Sequence, residues 1–167
     1  MMIELLEIMP RQDKILRELL QFYQYDFSEI EGGHVGDDGR YHFVDLTQFW
    51  ALPDARAFLC QVDGKWAGFA MVCKGSFFPD SRNANMVEEF FVMRGFRGRG
   101  IGMQMANRLF ALIPGEWQFG QTPNNEPARK FWQQVVRQRS GEPIEEITLN
   151  TPEWHGTAQR LWVMSRK

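Results

Sequence analysis

Apolar and polar residues alternate loosely over residues 2–8, which predicts a first strand. After Pro10, Ile15, Leu16, Leu19, Leu20 and Tyr23 recur at helical spacing, so a helix follows. Glu31-Gly32-Gly33-His34 and Gly36-Asp37-Asp38-Gly39 then form a polar, glycine-rich loop. Residues 43–52 read as a short second helix closed by Pro53. Two strand patterns, 55–62 and 65–73, flank Asp63-Gly64, a dipeptide suited to a hairpin turn. A polar connection over 74–85 leads to a central strand at 86–93, an apolar run that holds two carboxylates. A Gly/Arg turn at 94–100 precedes a helix at 101–113 with Ile101, Met105, Leu109 and Leu112 on one face, stopped by Pro114-Gly115. Residues 116–121 form a fifth short strand. The turn Thr122-Pro123-Asn124-Asn125 offers an N-cap, and Pro127 suits the first turn of a helix running to about Arg139. Residues 144–149 and 159–165 read as two last strands. The order βααβββαβαββ indicates an α/β sheet with helices on its faces.

Composition adds bounds to this pattern. The chain has 167 residues, with 44% hydrophobic and 24% charged. That suits one globular domain over 1–167, of a size that buries about 70% of its unfolded surface without disulfide or metal staples. The net charge of −2 argues against a broadly basic nucleic-acid surface, yet Arg94, Arg97 and Arg99 leave room for a local anion site. The hairpin turn sets Cys60 opposite Ala67 and Cys73 opposite Asp54, which keeps the thiols apart and predicts no disulfide. Reduced thiols, no basic-then-apolar leader at the N-terminus and no long apolar run point to a cytoplasmic protein with no membrane partner. His34, His42 and His155 show no metal-ligand spacing, and the two cysteines do not complete such a set, so no metal is expected.

The most informative segment runs strand, glycine-rich turn, amphipathic helix over residues 87–110. Gly98, Gly100 and Gly102 carry no Cβ, so a diphosphate can come close to the backbone. The first N–H groups of the helix lack intrahelical partners, and the helix dipole favours an anion there. Arg97 and Arg99 add charge and forked donors. The chain has no GxxxxGK[ST] string for a P-loop. The glycines read GxGxG rather than GxGxxG, and Glu116 comes too early for a dinucleotide fingerprint.

Arg97-Gly98-Arg99-Gly100-Ile101-Gly102 resembles the R/Q-x-x-G-x-G/A turn of the GCN5-related N-acetyltransferases (GNAT). Glu88-Glu89-Phe90-Phe91-Val92 looks like their fourth strand, and Asn125-Glu126-Pro127-Ala128-Arg129-Lys130-Phe131-Trp132 resembles their second motif. Residues 88–102 are also similar to the matching part of spermidine/spermine acetyltransferases. The resemblance implies a mixed, mostly antiparallel seven-strand sheet flanked by helices, whose fourth and fifth strands splay apart. It further implies acetyl-CoA as cosubstrate. The pantetheine arm would then lie along Phe91 and Val92. Its pyrophosphate would sit on Gly98, Arg99, Gly100, Ile101 and Gly102, with Met103 next and Arg97 at the rim. Asn125, Ala128 and Trp132 meet the cofactor through the second motif, and Asn125 is also a natural N-cap.

The implied chemistry is attack of an amine on a thioester, which first requires loss of the ammonium proton. Glu88 and Glu89 sit in an otherwise apolar strand, and alternation would turn them to opposite faces. Glu88 is the candidate base by its match to polyamine-type enzymes, and Glu89 the candidate holder of the cation. Trp132 stands where many members have a tyrosine acid, and an indole N–H does not release a proton near neutral pH. Tyr25, Asp26 and Glu29, at the end of the first helix, are candidates for attracting a cationic acceptor. The expected activity is transfer of an acetyl group to a primary amine of a small molecule. Transfer to a protein or peptide amine and a non-catalytic acyl-CoA-binding module remain the alternatives. The family resemblance admits a homodimer, and no nucleic-acid partner is expected.

Overall fold

The computed structural model describes residues 1–164; the expected last strand ended at Ser165, which lies outside them. The elements are β1 (Ile3–Ile8), α1 (Lys14–Glu31), α2 (Leu46–Trp50), β2 (Arg56–Val62), β3 (Lys65–Gly75), β4 (Ala84–Val92), α3 (Ile101–Leu112), β5 (Gly115–Gln121), α4 (Glu126–Ser140), β6 (Glu146–Asn150) and β7 (His155–Val163). Their order is the one the hydrophobic pattern implies. The second helix is shorter than expected because Asp45 caps it, accepting the Thr47 N–H at 2.8 Å. Among the described residues no helix is long and apolar enough to cross a membrane.

One seven-stranded sheet has the order β1-β2-β3-β4-β5-β7-β6. Every pairing is antiparallel except β4 with β5. On one face, Leu16, Leu19 and Leu20 of α1 and Phe49 of α2 pack on Leu59, Phe69, Met71 and Phe91. On the other, Leu109 and Phe110 of α3 and Trp132, Val135 and Val136 of α4 pack on Phe58, Val72, Val87, Trp117 and Phe119. The alternation of β2 and β3 supplies both faces, as period-two patterning requires.

Two bulges break the simple register. One falls between Cys60 and Gln61, so Cys60 faces Gly68 rather than the expected Ala67. Both thiols are free and buried. The other falls between Met71 and Val72: Val72 faces Val87, Met71 faces Glu89, and Glu88 is the extra residue.

The parallel pairing of β4 with β5 covers only Asn85–Trp117, Met86–Gln118 and Val87–Phe119. Beyond Val87 the strands part. Trp132 of α4 holds them apart from below. Its ring stacks on Phe119 of β5 with centroids 4.2 Å apart and meets the edge of Phe90 of β4 at 5.0 Å. Phe131 adds a stacked contact to Phe90 at 5.6 Å. A buried indole between two strand aromatics is a wedge of fixed width.

Candidate active site

The gap between β4 and β5 opens into a cleft of about 1270 Å³. This exceeds the usual 300–1,000 Å³ of small-molecule pockets, so a bulky ligand fits. Of the cofactor candidates, Phe91, Val92, Arg97, Gly98, Gly100, Ile101, Gly102, Met103, Asn125, Ala128 and Trp132 line it. Arg99 does not; its guanidinium turns away toward Met1 Sδ at 3.8 Å.

The start of α3 forms one end of the cleft. Gly100 is the residue before the helix and has φ +73°, a left-handed conformation that favours glycine. The first intrahelical bond is donated by Gln104 to Gly100 O at 3.1 Å. The N–H groups of Ile101, Gly102 and Met103 are therefore left for a ligand. Gly102 also permits close packing, since a Cβ there would lie 3.2 Å from the Phe131 ring. Opposite, Asn125 caps α4 by accepting the Ala128 N–H at 3.3 Å.

Strand β4 supplies the side of the gap. Met93 N–H donates to Ala67 O at 2.8 Å. Ladder bonds alternate along an antiparallel pair, so the Phe91 backbone turns to β3, while Phe90 and Val92 turn their N–H and C=O groups into the gap. The Val92 carbonyl accepts from Arg97 Nε at 2.6 Å. Phe90 was absent from the sequence-based candidates because strand register, not residue type, decides which backbone groups are free.

The acidic candidates fall differently from their sequence order. Alternation would separate Glu88 from Glu89, but the bulge puts both on the α1 face. Glu89 pairs across from Met71. Glu88 accepts from the Cys73 thiol at 3.2 Å, and Cys73 stands two residues from Met71, hence on the same face. Glu88 is exposed, whereas Glu89 is half-buried and enclosed by protein. Burial pushes the Glu89 carboxyl up to about 8; the nearby Tyr23 hydroxyl opposes the rise, and the Glu88 charge adds to it. Tyr23 is held protonated by burial and by Glu89. Tyr23 lines the cleft too, though its place in an apolar helical stripe marked it only as core.

Asp26 and Glu29 line the cleft, and Tyr25 is 62% exposed and outside it. Asp26 is committed to the arginines: it accepts from Arg94 Nε at 2.9 Å and from Arg97 Nη2. Arg94 also reaches Glu29 at 3.7 Å. This ties α1 to the turn before α3.

The fold has close counterparts among solved structures. An acetyltransferase from Thermus thermophilus is 17% identical with a TM-score of 0.69, each chain covered to 96%. An acetyltransferase of the GNAT family from Staphylococcus aureus is 15% identical with a TM-score of 0.66, covering 98% of this chain and 100% of that one. The aminoglycoside acetyltransferase AAC(6')-Ib, in complex with coenzyme A and kanamycin, is 14% identical with a TM-score of 0.66, covering 96% and 95%. No curated protein sequence matches the chain. The model of the acetyltransferase (GNAT) family matches residues 15–136, which span the cleft from α1 to α4. With the splayed strands, the open N-terminus of α3 and that match in hand, the chain belongs to the GNAT family of acetyltransferases.

Proposed function

We propose that this protein transfers an acetyl group from acetyl-CoA to a primary amine of a small molecule, by direct attack of the amine on the thioester. One observation carries the reading: the cleft lined at one end by the unpaired N–H groups at the start of α3 also takes in Tyr23, whose hydroxyl bonds the half-buried carboxylate of Glu89 on the α1 face of β4. The structure of AAC(6')-Ib with coenzyme A and kanamycin supports a small-molecule acceptor.

When bound, acetyl-CoA supplies an acyl carbon open to attack and a thiolate leaving group. The N–H groups of Ile101, Gly102 and Met103 and the guanidinium of Arg97 hold the diphosphate. Backbone groups of Phe90 and Val92 pair with the pantetheine amides, as a fifth strand would have done. The Val92 N–H is the donor for negative charge developing on the acyl oxygen. Glu89 takes the ammonium proton, directly or through a water, because its raised pKa makes it a stronger base than an exposed carboxylate. That proton then passes from Glu89 to the departing thiolate, and the nitrogen gives up its second proton to solvent water as the neutral amide forms. Glu88, at the open side of the same face, holds the cation. This exchanges the two roles expected from the sequence. Trp132, 4% exposed, is given packing rather than proton transfer.

The test is release of free CoA thiol from acetyl-CoA across a panel of primary amines. Release that depends on an amine and stops with its tertiary analogue is expected. Binding of acetyl-CoA without turnover of any amine would leave an acyl-CoA-binding module.

Asp26 gives a second expectation. Its carboxylate neutralises the arginines at the mouth of the diphosphate site. A unit charge about 6 Å from the diphosphate, at an effective dielectric near 40, opposes binding by about 1.4 kcal/mol. Asp26→Asn should therefore tighten acetyl-CoA binding roughly tenfold by calorimetry. Weaker binding would mean that Asp26 positions the guanidiniums instead of competing with the ligand.

A further inference from the structure

On the α1 face of the sheet, beside the point where β4 and β5 part, stands an aromatic pair that no motif suggested. The chain after β3 folds back over β5, because Phe77 N–H donates to the buried Gln118 Oε1 at 2.6 Å and Ser76 Oγ lies 3.2 Å from the same oxygen. This lays the Phe77 ring over Gly120, where a Cβ would sit 2.5 Å from its Cζ. Trp154, from the β6–β7 loop, packs on Phe77 with centroids 4.7 Å apart, and a Cβ at Gly156 would lie 2.9 Å from the indole. Gly120 thus makes room for the Phe77 ring, while Gly156 admits both the Gln121 carbonyl, which a Cβ would overlap, and the indole.

The face is fixed by register. Phe119 belongs to the α3/α4 core, so Gly120 faces the α1 side; Ala158 pairs with Gly120, and Gly156 shares its face two residues away. Gly120 and Glu88 are the first residues beyond the last β4–β5 pair, Val87–Phe119. The rings therefore border the same side of the gap as Glu88 and Glu89. Both rings are half-buried and neither belongs to the main cores, so each keeps an open surface. Just after β5, the Thr122 hydroxyl donates to Glu31 at the end of α1, which ties the helix to the sheet on this side.

We propose that Phe77 and Trp154 form the wall that receives a cationic aliphatic amine in front of Glu89. The inference rests on the amine-acetylation reading and names the acceptor chemistry that its site selects. An ammonium held against π-faces with carboxylates behind it is attracted by both, whereas a neutral or anionic acceptor gains neither.

The test replaces each ring by an apolar side chain without a π-face, Phe77→Leu and Trp154→Leu, with Trp154→Phe as the conservative variant. The probes are 1,4-diaminobutane and kanamycin. Both leucine variants should raise KM for a probe that turns over by about tenfold, with kcat and acetyl-CoA affinity little changed, and Trp154→Phe should restore most of the loss. An unchanged KM would overturn the wall while leaving the acetyltransferase reading in place. Binding is read independently of turnover, by quenching of tryptophan fluorescence with CoA present. Saturable quenching by a probe that is lost in Trp154→Phe supports the wall even if no amine is acetylated. Failure of both probes to quench overturns it.

Discussion

Gly100→Glu is expected to weaken acetyl-CoA binding by at least about 100-fold while the protein stays folded. A Cβ at Gly100 meets nothing within 4 Å, so the substitution creates no clash at its first side-chain atom. Its carboxylate would stand at the mouth of the N–H groups that face the diphosphate. Two like charges 5 Å apart at an effective dielectric near 20 repel by about 3 kcal/mol, which is the 100-fold. The left-handed φ of +73° adds strain of roughly 1–2 kcal/mol for any other residue. Gly100→Ala carries that strain without the charge, so the difference between the variants, by calorimetry and thermal melting, isolates the electrostatic part. Equal affinities for the two would place the diphosphate elsewhere.

Glu89→Gln is expected to lower kcat by about 100-fold or more, the usual scale for losing a general base, with acetyl-CoA affinity preserved. The wild-type rate should rise as pH passes through about 8, where the carboxylate becomes the anion that accepts the proton, and the variant should lose that limb. Stability supplies a check independent of turnover. The folded-state pKa is raised from 4.5 to about 8, so the folded protein holds the extra proton in that window. This contribution to stability is fully present below pH 4.5 and is lost as pH rises through 8. The glutamine variant carries no such term, so its melting temperature should fall less than that of the wild type between pH 5 and 9. Glu88→Gln, at an exposed position, should chiefly raise KM for the amine. A collapse of kcat in Glu88→Gln with a normal rate in Glu89→Gln would return the base to Glu88.

The fold was legible because its signals are local. The Asp63-Gly64 hairpin, the glycine turn before α3 and the Asn125 cap each follow from residue type at fixed spacing. The cleft end at Ile101 to Met103 was legible for the same reason. What escaped depends on register. No residue in β3 or β4 announces the bulge at Glu88, yet it moves both carboxylates to one face and makes Glu89 the enclosed one. The turning of Phe90 and Val92 into the gap is set by the ladder with β3. The sequence marked Arg94, Arg97 and Arg99 as candidates for an anion site, but the grip of Arg94 and Arg97 on Asp26 joins residues about 70 positions apart and appears only when α1 lies beside the turn. Trp132 read as a missing acid at a motif position; packed between Phe90 and Phe119, it sets the width of the gap.

Calorimetric titration of the wild-type protein with acetyl-CoA tests the central assignment most directly. Saturable binding of one acetyl-CoA per chain, with a micromolar Kd or about −8 kcal/mol, is the result expected of a diphosphate held at the start of α3. Absence of binding at millimolar acetyl-CoA would contradict it.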